Sequence, residues 1–238
     1  MSQPLSRRLF LAFTGGALVA PAVSWAADED DVPALLDHII LGCSDLDRGI
    51  DLLEQNTGVR PAFGGVHPGR GTRNALLSLG ERRYLEIMAP DPKQQDIVRF
   101  PQIRQMTNPR LVGWAVHPGD ITAAAKRLRE NQIAFQGPDD GSRKRPDGRV
   151  LHWKTLNLAD DRHGLLPFFI EWSADSLHPS ADAPAGCHLE YFKVMNPDRD
   201  ELSQAFQRIG IEVPVERSDR ARLVGLISGP KGDLGVST

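Results

Sequence analysis

"LDHIILGCSDLDRGIDLLEQNTGVRP", residues 36–61, is the stretch that decides the fold. It opens on a short apolar run that reads as a strand. A polar turn follows, in which Ser44 with Asp47 resembles a helix-capping box. An amphipathic helix comes next, and the chain exits into another strand. The same rhythm returns in "LVGWAVHPGDITAAAKRLRENQIAF" (111–135) and in "CHLEYFKVMNPDRDELSQAFQRIGIEVP" (187–214). In the second copy Ile121, Ala124, Ala125 and Leu128 share one helical stripe. In the third, Leu202, Ala205, Phe206 and Ile209 do so. The turn residues Asp45, Asp120 and Asp198 fall 75 and 78 residues apart, so the chain repeats itself.

Alternating runs follow each helix and read as strands. They are "RNALLSLG" and "RYLEIMAP" in the first unit, and "VLHWKTLNLA" and "LLPFFIEWS" in the second. In the third they are "RARLVGLIS" and the tail "DLGVST". The expected class is α+β. Paired βαβββ units at 35–90 and 110–173, within 27–173, form a curled mixed β-sheet cleft with flanking helices. A third, partial unit of the same kind occupies 187–238. Residues 91–109, rich in Pro and Gln, read as a connector with some helix. Residues 173–186 read as a loop or linker. Two such units side by side enclose a cleft, the natural place for a ligand.

The first 26 residues read as a targeting leader. "SRRLFLAF" carries the pair Arg7 and Arg8 with Phe10 and Leu11 behind, and resembles a twin-arginine export signal. The apolar stretch behind it is too short and Gly-containing for a stable span. Ser24 and Ala26 suit cleavage before Ala27. Export to a bacterial periplasm, by the twin-arginine machinery, is the expectation. The chain carries a net charge of −3; the leader holds two arginines and no acid, leaving −5 without it. That balance argues against nucleic acid as the main partner. Cys43 and Cys187 are the two cysteines. Their spacing supports no metal site, and two idle thiols are the favoured reading over a bridge.

His38 lies on the first strand. Glu86 lies on the last strand of unit one, and Glu171 on the last strand of unit two, at positions read as equivalent. An unpaired buried carboxylate is costly. Two of them with a histidine, converging on one concave sheet, could share a divalent cation. The "HPGRGTRN" turn (67–74) brings His67, Thr72, Arg73 and Asn74 beside three glycines, which suits close approach to a ligand. Arg73 has the fork geometry to hold a carboxylate or phosphate, and it is also the arginine that would pair with Glu86 in a metal-free pocket. His152 and Trp153 alternate on a strand, so only one can face the cleft. "GSRKRPDGR" (141–149) reads as a solvated basic turn. Neither a Ser-His-Asp order nor a dinucleotide fingerprint is present.

The repeats, the "LDHIILG" opening, the "HPGRGTRNALLSLG" block and the "YLEIMAP" closing together resemble the vicinal oxygen chelate superfamily. More narrowly, they resemble its glyoxalase-like group. The resemblance implies a metal (Zn, Mn, Fe or Ni) on His38, Glu86 and Glu171, with Glu86 or Glu171 doubling as catalytic base. His67, Thr72, Arg73, Asn74 and His152 would meet the substrate. The fourth ligand position falls on Gly113, seven residues before Asp120 as His38 is seven before Asp45; His117 and His152 are stand-ins outside that place. The implied activity is a metal-dependent lyase, isomerase or dioxygenase acting on a small oxygenated substrate. A glutathione adduct is disfavoured in an exported protein. The alternative is a metal-free ligand-binding or sequestering protein. The third unit would complete a second paired surface or support a homodimer.

Overall fold

The computed structural model describes residues 31–145 and 147–238. The leader reading at residues 1–26 lies outside them. The first unit runs β1 (Leu36–Gly42), α1 (Leu46–Thr57), β2 (Ala62–His67), β3 (Thr72–Ser78) and β4 (Tyr84–Pro90). The second runs β5 (Arg110–Val116), α2 (Ile121–Glu130), β6 (Phe135–Lys144), β7 (Val150–Leu158) and β8 (Phe168–Trp172). Together they make one eight-stranded sheet in the order β2-β3-β4-β1-β5-β8-β7-β6. In each unit the opening strand pairs parallel with the closing one, β1 with β4 and β5 with β8. The units join antiparallel along β1 and β5. This is the expected pair of βαβββ repeats.

Local chemistry starts the helices where the repeat spacing placed them. The side chains of Asp45, Asp120 and Asp198 each accept hydrogen bonds from backbone N–H groups of the following first turn. The first cap is therefore Asp45, and not the expected Ser44–Asp47 box. Gly58 ends α1 in the left-handed region at φ +82°, where a Cβ would be strained.

The sheet curls until its two edges meet. A Cβ on Gly65 of β2 would stand 3.0 Å from Cδ of Arg143 on β6. The connector fills one end of the concave face. Its short 3-10 turn Pro101–Gln105 buries Phe100, Ile103 and Met106 against Ile40, Val112 and Phe168. Met88 and Ile170 complete this second core.

The third unit, expected as a partial βαβββ-like unit, has all five elements but pairs them differently. Its elements are β9 (His188–Asn196), α3 (Arg199–Ile209), β10 (Val215–Arg217), β11 (Arg222–Ser228) and β12 (Asp233–Ser237). Element order is the same, but the strand order is β10-β9-β11-β12. β9 pairs parallel with the strand just after the helix, not with the last one. This small sheet covers the convex back of the β1–β5 seam. Trp114 of β5 packs there at 5.2 Å from Phe192 and 6.1 Å from Phe206, ring to ring. Both cysteines are free and buried. No described helix is long and apolar enough to cross a membrane.

Candidate active site

The concave face holds a cavity of about 100 Å³. Strand alternation decides which side chains enter it. β1 contributes His38 and Ile40, β2 His67, β3 Thr72 and Asn74, and β4 Tyr84, Glu86 and Met88. From the second unit come Arg143, Trp153, Thr155, Phe168, Ile170 and Trp172, with Arg99 and Phe100 from the connector and Arg70 at the turn.

Glu86 sits at the centre, 6% exposed. Its Oε1 accepts from the Asn74 amide at 2.6 Å and lies 3.5 Å from Nε2 of His67. Its Oε2 lies 3.7 Å from Nε2 of His38. Burial pushes the carboxyl up, but His67, His38, the Asn74 amide and the Arg143 guanidinium more than offset this and hold it below the ordinary value. Glu86 is therefore a carboxylate at neutral pH.

His67 is neutral. Its Nε2 faces two N–H donors, the Asn74 amide at 3.3 Å and Arg143 Nη1 at 3.4 Å, both nearer than the Glu86 oxygen at 3.5 Å, and we assign it the lone pair on that ground. Its Nδ1 then donates to Thr72 Oγ1 at 2.8 Å. Burial, chiefly, pushes this imidazole down to about 4 against the pull of Glu86.

Behind His38 stands Asp37, fully buried. Its Oδ1 is 2.7 Å from His38 Nδ1, and its Oδ2 meets His178 Nε2 at 3.1 Å and Trp172 Nε1 at 3.2 Å. Burial raises this carboxyl, but hydrogen bonds from His178 and His38 and the charges of those rings bring it down to about 2. The His38 ring also stacks on Tyr84 at 4.5 Å.

The structure brings His38, His67, Thr72, Asn74 and Glu86 together. It places the other sequence-predicted residues elsewhere. Glu171 lies on the opposite face of β8, where its Oε2 accepts from the Ile121 backbone N–H at 2.8 Å, at the start of α2. Arg73 alternates away from Thr72 and Asn74, and the arginine beside Glu86 is Arg143. His152 is exposed, and its neighbour Trp153 takes the cleft position. The expected solvated turn at 141–149 begins as strand, with Arg143 only 4% exposed. Asp37, Arg99, Arg143 and His178 escaped the sequence reading. The signal for Asp37 was its place next to His38 in "LDHIILG".

The donors do not fit the four-ligand chelate that the resemblance implies. Ile40 pairs with Glu86, and its repeat counterpart Ala115 pairs with Phe168. Phe168 thus stands where a second glutamate belongs, and Gly113 where a second histidine belongs. A Cβ on Gly113 would lie 2.9 Å from Cζ of Phe100, so the connector has filled that ligand's space. The remaining donors, His38, His67 and Glu86, share the cleft with Arg99 and Arg143, whose charge opposes a dication.

A curled sheet of two βαβββ repeats around a buried carboxylate–imidazole cluster defines the class. The glyoxalase-like domain family matches residues 36–210, and the chain belongs to that family. A hypothetical protein from Staphylococcus aureus shares the fold, at TM-score 0.60 and 19% identity over 85% of this chain and 84% of that one. Methylmalonyl-CoA epimerase of Streptomyces coelicolor, solved with 2-nitronate-propionyl-CoA, is 21% identical over 61% of this chain and 99% of its own, at TM-score 0.46. The epimerase of Mycobacterium tuberculosis is 18% identical over 60% and 89%, at 0.43. The chain spans 17% of a curated relative, the probable kinetochore protein NDC80 of Yarrowia lipolytica, at 25% identity over 115 residues, 48% of this chain.

Proposed function

We propose that this chain is an acid–base enzyme that moves a proton beside a carbonyl of a small oxygenated substrate. One observation carries the reading: Glu86 is a buried acid set between two imidazole rings on the floor of a cleft. Glu86 Oε2 takes the proton from carbon, and the enolate charge develops in a cleft lined by guanidinium groups. Asp37 accepts from His38 Nδ1, leaving His38 Nε2 free beside Glu86 to share the proton before its return to the substrate. Asn74 fixes the carboxylate from the other side.

A metal-free binding protein is the second reading. Gly113 and Phe168 at the chelate positions favour it. Proton–deuterium exchange separates the two. The chain, incubated in D2O with a panel of vicinal dicarbonyls and 2-oxo acids, would be followed by NMR. Exchange that falls about 10²- to 10⁴-fold in Glu86→Gln supports the enzyme. Exchange unaffected by Glu86→Gln overturns it, and tight binding of a panel member without exchange favours the binder.

The proposal extends to place. The Arg7–Arg8 leader supports export through the twin-arginine route to a periplasm. Retention in the cytoplasm of a fusion whose leader is intact would overturn that part.

A further inference from the structure

Arg143 is 4% exposed, and its Nε has no hydrogen-bond partner among the described residues. Among the described residues, its one side-chain hydrogen-bond contact is His67 Nε2 at 3.4 Å. Arg99 shares the lining, resting on the Phe168 and Phe100 rings at 4.1 and 4.7 Å and donating to Asn157 Oδ1 at 2.7 Å. Among the described residues, neither guanidinium forms a salt bridge within 4.0 Å of a carboxylate. Removing a guanidinium from water without a directly paired carboxylate is costly, and the acids that act on these two do so from beyond ion-pair distance, Glu86 on both and Asp161 on Arg99. Among the described residues, Glu86 is the one acid lining the cavity, because Asp37 is turned to His38, His178 and Trp172. Within this lining, with His67 neutral, Arg99 and Arg143 outweigh Glu86 by one positive charge and Arg70 at the rim adds another, while Asp139 and Asp161 lie in the adjoining recess.

We infer that the substrate carries a carboxylate, or an equivalent planar oxyanion, held between Arg143 and Arg99 with its reacting carbon toward Glu86. The inference rests on the proton-transfer reading and names its substrate class. The guanidinium fork matches a carboxylate with two parallel bonds. Trp153 and Phe168 supply apolar walls for a small organic body. Arg70, Arg99 and Thr155 line both this cavity and an adjoining recess of about 520 Å³, which gives a longer substrate a way out.

The test pairs acids with their neutral amides. Pyruvate and benzoate, against pyruvamide and benzamide, are titrated into the chain and followed by tryptophan fluorescence, since Trp153 and Trp172 line the cleft. The acids are expected to bind on the order of ten-fold tighter than the amides. Arg143→Gln and Arg99→Gln should each abolish that preference while leaving amide affinity in place. Glu86→Gln should tighten acid binding by removing a like charge. Equal affinity of acids and amides for the unmodified chain overturns the inference, as does an intact preference in the Arg143 and Arg99 variants. If Arg143→Gln does not fold, the unmodified chain and Arg99→Gln still decide. Glu86-dependent exchange without acid preference overturns this inference alone. Acid preference without Glu86-dependent exchange overturns the proton-transfer reading alone.

Discussion

Nδ1 of His38 lies 2.7 Å from Oδ1 of Asp37, and the same carboxylate is held by His178 and Trp172. Adjacent residues on a strand normally face opposite ways. Here the pairing of β1 with β5 shifts register between Leu36 and His38, at the point where the two side chains meet. His38 thus has its tautomer set from behind, and its Nε2 is left for the cleft.

Asp37→Asn should lower exchange activity about 10- to 100-fold, as loss of an orienting partner does elsewhere. It should also change the acid limb of stability. The carboxyl falls from 3.8 to about 2 on folding, so its contribution is complete above about pH 4 and is lost as the pH falls toward 2. That contribution is about 2 kcal/mol. Urea melts between pH 5 and 2 should show the parent losing this increment and the variant not.

His67 makes the opposite kind of group show the same sign. Its imidazole falls from 6.5 to about 4 on folding, so the unfolded chain binds the proton first. Stability is complete above pH 6.5 and declines as the pH drops toward 4. His67→Gln should flatten that decline. NMR of the ring should find Nε2 unprotonated and Nδ1 carrying hydrogen throughout pH 5–8.

Gly113→Ala should destabilise the chain by about 1–3 kcal/mol, because the new methyl meets Phe100. Phe100→Ala in the same chain should recover part of that loss, a non-additivity read from thermal melts. Elemental analysis should find well below one equivalent of Zn, Mn, Fe or Ni in the parent. Gly113→His with Phe100→Ala and Phe168→Glu should raise that content, since it restores both ligand positions and makes room for one of them.

Glu171→Gln should cost about 1 kcal/mol of stability and leave exchange unchanged. Its carboxylate serves the first N–H of α2 and lies across the sheet from the substrate. Denaturant melts and the exchange assay check the two halves of this statement.

The repeat was legible because capping is local chemistry: an aspartate before each helix marks the same point of each unit. His38, Asn74 and Glu86 were legible because they fall on one unit, inside the three short strand blocks that carry the family resemblance. Glu171 misled because position within a strand means little without register. It lies three residues past Phe168, the true counterpart of Glu86, and an odd step reverses the face. Arg143 was hidden because Gly137, Pro138 and Gly141 disguise β6 as a loop. Arg99 was hidden because the connector's place inside the cleft follows from packing between distant segments.

The fate of the second repeat has a geometric consequence. A groove made of two matching halves would receive a compact molecule equally well either way round. Here one wall keeps His38 and Glu86, whereas Gly113 and Phe168 have become backing for Phe100 and Arg99. The duplicated scaffold has thereby acquired a head and a tail, and a guest of either kind is sorted end from end before any bond is touched.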